Sequence, residues 1–275
     1  MDVWTPHLHL DRPGDVAAAA RAVAGGAVVA AAFGNFYALV TRPDAATVRR
    51  ANVVKGRPAQ QVGSITAPAD GIVALFDWSR LPYRLPAGRV RQLMDALWGA
   101  GPFGFRGPAA DRLPAHLTSD DRGVRTVQVI APGARCPSNA FLRRAVAEAG
   151  TDHLHVTSAN RSRHRPGAGD EPAHWKATGI AADFAHAADL VVLAHPDEAA
   201  ARAAYPRHLP TSVTVLSFHA PEGDPEEPPV LLVERHGSLH VDDVRRAAAP
   251  LGLQVRLAAT AGRRLGVRGY AAALV

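Results

Sequence analysis

Cysteine is almost absent from this sequence: Cys136 is the one such residue among 275. A single cysteine excludes an internal disulfide framework and a cysteine-rich zinc site. Its position beside Pro137 is more typical of a small packing residue than of a nucleophile.

Long hydrophobic runs are also missing. The longest apolar run, residues 27–33, is far shorter than the roughly 20 residues that a membrane-spanning helix needs. The first residues are acidic and aromatic, with no basic segment leading into an apolar one, so no signal peptide is predicted. We therefore expect a cytoplasmic protein with no membrane partner.

The composition that remains is that of a folded domain. Hydrophobic residues make up 47% of the chain and charged residues 20%, which suits a packed core and argues against disorder. The net charge of +6 suits an anionic ligand. It is weak evidence for a nucleic-acid partner, because abundant Arg, Ala, Gly and Pro together are typical of GC-rich coding.

Strand and helix patterns alternate along the whole chain, which predicts one α/β domain. Helices are predicted over residues 14–25, 43–54, 88–98, 138–149, 173–187 and 241–251, with Ser138 as an N-cap. Strands are predicted over residues 27–32, 36–40, 70–76, 126–131, 153–157, 189–193, 212–218 and 229–234. A turn is expected at Gly34-Asn35, and the Gly/Pro-rich residues 99–108 are predicted to form a loop.

Two short segments carry most of the functional signal. Residues 55–58 read Lys-Gly-Arg-Pro and follow a predicted helix, and residues 158–162 read Ser-Ala-Asn-Arg-Ser and follow a predicted strand. Arg offers a planar fork of donors and Lys a mobile point charge, while Ser and Asn add short hydrogen bonds. These are the groups that grip the phosphates of a nucleotide.

Each segment also has an ordinary interpretation. Lys55 and Arg57 could be solvated cations that stabilise the C-terminus of a helix. Ser158 and Asn160 could be turn residues that bond their own backbone. Their joint occurrence favours the nucleotide site.

The order and spacing of these motifs resemble the YrdC/Sua5 family, the threonylcarbamoyl-adenylate synthases of tRNA t6A modification. Lys55, Arg57 and Pro58 match its Lys-x-Arg-Pro motif, and residues 158–162 match its Ser-Ala-Asn-x-Ser motif. Looser matches occur at residues 32–39, 94–102, 212–215 and 235–237. The resemblance runs from about residue 14 to residue 250.

The resemblance implies an open, twisted α/β sheet with a concave, basic ligand groove. It places a YrdC-like domain at residues 1–250 and a short basic extension, packed on the domain or trailing it, at residues 251–275. The implied activity is the formation of a carbamoyl adenylate from ATP, bicarbonate and an amino acid, with Mg²⁺ bridging phosphate oxygens. tRNA or double-stranded RNA is a further candidate partner.

The resemblance also assigns roles to individual residues. Lys55 and Arg57 would act on the phosphates as the catalytic cations. The nucleotide would be held by Lys55, Arg57, Ser158, Asn160, Ser212 and Arg235. The amino-acid substrate would be held by Asn35 and Tyr37. No protein-held metal is predicted, because no cysteine or carboxylate near His153, His155 and His164, other than Asp152 or Asp170, would complete a zinc site.

The departures from the family pattern fall on the substrate side. Phe33 and Asn35 stand where the family has threonines, and Ile130 stands where it has an arginine that reaches the ligand. Three interpretations stay open. The chain could be a divergent threonylcarbamoyl-adenylate synthase, could use a different amine or carbamoyl donor, or could bind a nucleotide or RNA without catalysis.

Overall fold

The structure is a computed structural model that describes residues 7–162, 171–187, 189–224 and 227–270. These residues form seven α-helices and twelve strands, which confirms the predicted α/β class. The helices are α1 (Pro13–Ala24), α2 (Ala45–Val54), α3 (Ala87–Ala100), α4 (Ser138–Ala149), α5 (Ala177–Asp183), α6 (Glu198–Ala203) and α7 (Val241–Ala248). The strands are β1 (His7–His9), β2 (Val28–Phe33), β3 (Phe36–Thr41), β4 (Ser64–Thr66), β5 (Phe103–Pro108), β6 (Ser119–Asp121), β7 (Val124–Ala131), β8 (Leu154–Ser158), β9 (Leu190–Ala194), β10 (Val215–Glu222), β11 (Val230–Arg235) and β12 (Gln254–Leu257).

All twelve strands belong to one open, mixed sheet. Its order is β1-β9-β2-β3-β8-β4-β7-β5-β10-β11-β12, and β6 pairs with β7 outside this path. Parallel pairs such as β4 with β7 and β5 with β10 alternate with antiparallel ones such as β7 with β5 and β10 with β11. Strand β8, which ends at Ser158, therefore lies near the middle of the sheet.

Local sequence explains where the elements near this centre begin and end. The Asp44 carboxylate caps α2 by accepting from the Thr47 backbone N–H at 3.0 Å, and Lys55 is the residue at the other end of the helix. Between β2 and β3, Gly34 adopts a positive φ of 70°, which a two-residue hairpin turn favours. This confirms the predicted turn at Gly34-Asn35.

Alternate side chains of the central strands point to the core on one face of the sheet and to a cavity on the other. On β7, residues 127, 129 and 131 are buried in a cluster that includes Leu93 and Leu97 of α3. The intervening Thr126, Gln128 and Ile130 line a cavity on the sheet. A strand presents successive side chains to opposite faces, so one face packs under helices and the other forms the floor of the cavity.

Two predicted elements are wrong in type. Residues 70–76, predicted as a strand, form a 3₁₀ helix over Ala69–Leu75, whose buried residues Ile72 and Leu75 have the three-residue spacing of such a helix. Residues 99–108, predicted as a loop, contain the end of α3 and all of β5.

Three other predictions need correction in extent. Ser138 is the first residue of α4 rather than its N-cap, and its hydroxyl donates to the Ala32 carbonyl in the neighbouring strand. The helix predicted at 173–187 is limited to Ala177–Asp183, and the strand predicted at 212–218 runs over Val215–Glu222.

The C-terminal residues continue the sheet. Strand β12 pairs in parallel with β11, and the Arg264 Nε donates to the Gly237 carbonyl at 3.0 Å. Farther on, Arg268 forms ion pairs with Glu171 at 2.6 Å and Asp183 at 3.1 Å. In the part of the chain described, no helix has the length and apolar character to cross a membrane.

Candidate nucleotide site

A cavity of about 710 Å³ lies over the central strands. Its charged lining residues are Arg57, Arg106, Asp120, Asp121, Arg122, Glu234 and Arg235. Four arginines and three acidic residues give this lining a formal charge of +1. Arg57 stands at the β8 end, and the three acidic side chains stand on β6 and β11 among the other three arginines.

The two segments singled out in the sequence meet at the β8 end of this cavity. The Lys55 Nζ donates to Ser158 Oγ at 2.9 Å and to Asn160 Oδ1 at 2.8 Å, and also to the Ser158 carbonyl. The Ser158 hydroxyl donates to Asn160 Oδ1 at 2.6 Å. A backbone bond of 2.8 Å from Ser162 N to Lys55 O completes the link.

Lys55 is deeply buried, with 1% of its surface exposed. Its ammonium has three N–H donors, and the three oxygens just described all accept from it. The structure therefore turns Lys55 towards Ser158 and Asn160, where it orients their side chains. Its direct contact with a phosphate stays a prediction.

Arg57 and Ser158 are the two members of this group that line the cavity. The Arg57 NH1 donates to Thr157 Oγ1 at 2.8 Å, which anchors the guanidinium beside the end of β8. A guanidinium carries five N–H donors in a planar fork. An anchored fork beside a hydroxyl is suited to contact phosphate oxygens.

Ser212, three residues before β10, and Arg235, the last residue of β11, line the same cavity. Arg235 is held by its Nε, which donates to the Val213 carbonyl at 2.9 Å. The Ser212 carbonyl accepts from Ser238 N at 2.9 Å. A Cβ on Gly237 would lie 2.2 Å from the Ser212 carbonyl oxygen, so glycine is what lets these two backbones meet.

Asn35 and Tyr37 lie away from the cavity. On β3, Phe36 and Ala38 line it, so alternation sends Tyr37 to the opposite face. The Tyr37 hydroxyl donates to Glu198 Oε1 at 2.8 Å, and burial together with this carboxylate raises the Tyr37 pKa far above its usual value. Asn35 Nδ2 donates to the His208 carbonyl at 2.9 Å. Their predicted contact with an amino acid stays a prediction.

A row of polar side chains crosses the cavity floor and was not found by sequence reasoning. Gln128 Nε2 donates to Ser64 Oγ at 2.5 Å, and Arg106 Nε pairs with Glu234 at 3.0 Å. Arg106 stands on β5 opposite Gln128 of β7, near Ile130, the position where the family resemblance expects an arginine. Sequence reasoning missed Arg106 because it lies within residues 99–108, whose glycine and proline content predicted a loop.

The histidines considered as metal ligands do not converge within the described residues. His155 is fully buried, and its Nδ1 lies 3.2 Å from Thr41 Oγ1. Burial, with Arg57 and Lys55 nearby, lowers the pKa of His155 to about 3. His153 bonds Asp152 at 2.5 Å, and His164 lies outside the described residues.

No protein-family model matches the sequence, and no curated protein matches it. Solved structures do match. The structure of P. abyssi Sua5 complexed with L-threonine is similar at a TM-score of 0.61 and 20% identity, over 92% of this chain and 62% of that one. A hypothetical protein, smu.1377c, from Streptococcus mutans UA159 has a TM-score of 0.65 and 15% identity, over 93% of this chain and 99% of that one.

Full-length HypF in a phosphate- and nucleotide-bound form is also similar, with a TM-score of 0.53 and 16% identity over 80% of this chain and 28% of that one. The chain thus spans less than two thirds of the Sua5 chain and under a third of HypF. At these identities the likeness concerns the fold. The predicted YrdC/Sua5-like fold is confirmed.

Proposed function

We propose that the cavity binds ATP or AMP and that the chain forms a carbamoyl adenylate from ATP, bicarbonate and an amino acid. The observation that carries this proposal is the contact of residues 55–58 with residues 157–162, by which Arg57, bonded to Thr157, and Ser158 both line the cavity. The volume of about 710 Å³ falls within the usual range for small-molecule sites.

The fold similarities support the same ligand classes. The similar Sua5 structure contains L-threonine, and the similar HypF structure contains phosphate and a nucleotide. A cavity on a related fold that offers guanidinium and hydroxyl groups is suited to a nucleotide and an acyl group derived from an amino acid.

The reaction needs charge stabilisation more than a strong base. Bicarbonate and an amine lose water to form a carbamate, whose oxygen attacks the α-phosphorus of ATP as pyrophosphate leaves. Donors fixed in advance around the phosphate stabilise the charge that develops there. ATP enters as its Mg²⁺ complex, so part of that charge is neutralised by the substrate itself.

Roles follow from where each side chain stands. Arg57, anchored by Thr157, contacts the phosphates, and the Ser158 hydroxyl contacts the nucleotide. Lys55 acts as a positioning residue, because it orients Ser158 and Asn160. Arg235 and Ser212 contact the ligand from the opposite wall.

A second candidate function is nucleotide or RNA binding without catalysis. It is favoured by the apolar Ile130 on the cavity wall and by Asn35 and Tyr37, which bond protein groups away from the cavity. If threonine is not the substrate, another amine is the remaining enzymatic alternative. The proposals for tRNA modification depend on which of these holds.

Pyrophosphate release separates the candidates. The full chain is assayed with ATP, Mg²⁺ and bicarbonate, first with threonine and then with other amino acids and amines. Release that depends on threonine supports the synthase, and release with another amine identifies a different substrate. Nucleotide binding without release in any mixture would leave the non-catalytic function.

Nucleotide affinity tests the site itself. Arg57→Met should weaken ATP binding at least about tenfold, because a charge-assisted bond to phosphate contributes about 1.5–3 kcal/mol. Arg49→Met is the matched control, since Arg49 is exposed on α2 and does not line the cavity. Equal affinity in both variants would remove Arg57 from the site.

A further inference from the structure

Strands β6, β10 and β11 carry a second cluster of polar side chains at the cavity wall, and the proposed carbamoyl-adenylate reaction does not use it. Among the described residues, Asp121, His219 and Glu234 place one ligand atom each within 4.8 Å of one another. Asp121 and Glu234 line the cavity. We propose that these three side chains bind a first-row divalent metal ion, such as Zn²⁺.

The sequence gives no sign of this group, because its three members lie on three different strands and are separated in the chain. Asp121 ends β6, just before a two-residue turn in which Arg122 and Gly123 have φ values of 52° and 76°. His219 lies within β10, and Glu234 lies one residue from the end of β11. The sheet brings them together over β5.

His219 is held as a metal-ligating histidine would be. Its side chain is 1% exposed, its Nδ1 lies 2.9 Å from Ser217 Oγ, and its Nε2 lies 2.9 Å from Asp121 Oδ2. When Nδ1–H donates to the Ser217 hydroxyl, the lone pair of Nε2 points at the carboxylates. Bonding of the second ring nitrogen fixes the tautomer and ring orientation in this way in metal sites.

The carboxylates complete the donor set. Donors about 2.0–2.2 Å from a shared ion lie about 3–4 Å from one another. The 2.9 Å between His219 Nε2 and Asp121 Oδ2, and the 4.8 Å within which all three donor atoms lie, bracket that range. Glu234 is itself oriented by Arg106 Nε at 3.0 Å. One imidazole with two carboxylates suits Zn²⁺ or Mn²⁺ better than Mg²⁺, which prefers oxygen ligands alone.

This site is separate from the Lys55–Ser158 end of the cavity. Strand β10 is four positions from β8 in the sheet, which corresponds to roughly 19 Å along its surface. Three protein ligands leave a coordination position that faces the cavity for water or for an oxygen of a bound ligand. The metal site does not depend on the proposed nucleotide.

The test is direct binding of Zn²⁺ to the untagged full chain, freed of metal by a chelator and titrated calorimetrically without nucleotide. We expect one Zn²⁺ ion to bind per chain. Co²⁺ added in place of Zn²⁺ should give the visible absorption of a protein-bound ion. His219→Ala and Glu234→Gln should each weaken binding by more than about tenfold, and Ser217→Ala by roughly tenfold. Asp152→Asn is the control, because Asp152 also bonds a histidine, His153, but belongs to no group of three ligands among the described residues.

Absence of Zn²⁺ binding, or equal affinity in His219→Ala and Asp152→Asn, would overturn the proposal. Thermal unfolding of the metal-free variants checks that each is folded. Should the buried His219→Ala protein fail that check, Glu234→Gln and Asp121→Asn decide the outcome, since both side chains are partly exposed. If the wild-type chain binds Zn²⁺ but does not bind ATP, the proposed nucleotide site is refuted and the metal site is not.

Discussion

At the scale of single residues, the Lys55 Nζ joins two segments that lie about a hundred positions apart in the chain. Lys55→Met should lower the free energy of unfolding by about 2 kcal/mol, because it removes the hydrogen bonds of a charged donor to Ser158 and Asn160, and one such bond contributes about 1.5–3 kcal/mol. Urea unfolding measures the change.

Arg57→Met serves as the comparison for stability. Its guanidinium donates to Thr157 at the cavity wall, where water can replace the lost bond, so we expect a smaller loss, under about 1 kcal/mol. The two variants should therefore separate: Lys55 acts mainly on stability and Arg57 mainly on ligand affinity. A Lys55→Met protein as stable as the wild type would contradict the positioning role.

At the scale of elements, the close approach of the segment after β11 to the start of β10 depends on a missing side chain. In Gly237→Ala, the new Cβ would lie 2.2 Å from the Ser212 carbonyl oxygen and 2.5 Å from the Val213 backbone. Because both neighbours are backbone, we expect a loss of about 1–3 kcal/mol and weaker ATP binding through displacement of Ser212.

Gly99→Ala is the matched substitution in α3. Gly99 is exposed within the helix, and nothing lies within 4 Å of the position that a Cβ would take there, so alanine should stabilise the protein by up to about 1 kcal/mol. Thermal unfolding of both variants gives the comparison. If both glycines tolerate alanine equally, the close approach at Ser212 does not limit the fold.

Glycine also explains where sequence reasoning failed for β5. Gly104 and Gly107 made residues 99–108 resemble a loop, but a Cβ on Gly107 would lie 2.2 Å from the Phe218 ring, and one on Gly104 would lie 2.9 Å from Ile130. The glycines are there for packing between strands, which is a tertiary requirement with no local signature. Arg106, between them, was missed for that reason.

The elements that sequence did predict have strong local signals. Strand β3 and helix α4 were predicted to within one or two residues because continuous apolar residues and a 3.6-residue period are visible in the chain itself. Residues 55–58 and 158–162 were predicted to share one nucleotide site, from their residue types and from the family resemblance. The burial of Lys55 and the orientation of Tyr37 away from the cavity were not predicted. Both depend on which side chains each strand directs to which face of the sheet.

At the scale of the whole molecule, several buried histidines make stability depend on pH. Burial lowers the pKa of His155 to about 3 and that of His208 to about 4. Desolvation also lowers the pKa values of His174, His195 and His236. Such groups stay neutral in the folded chain but take up protons in the unfolded chain, whose histidines have pKa values near 6.5.

The sign of the effect follows from this difference. The contribution of each histidine is fully present above about pH 6.5 and is lost progressively as the pH falls towards its folded pKa. Between about pH 7.5 and about pH 5, His155 and His208 together should lower the free energy of unfolding by roughly 3–4 kcal/mol. Urea unfolding at the two pH values measures this loss.

The double variant His155→Gln/His208→Gln removes both titrating groups while keeping polar side chains of similar size. Its stability at about pH 7.5 can be lower, because the contact of His155 with Thr41 changes, but its loss on acidification should be smaller by at least about 2 kcal/mol. The quantity to compare between the two proteins is therefore the change in unfolding free energy with pH, and not the unfolding free energy at one pH. An equal pH slope in the two proteins would mean that other groups take up the protons on unfolding, and that burial of these two histidines does not govern the acid sensitivity of the fold.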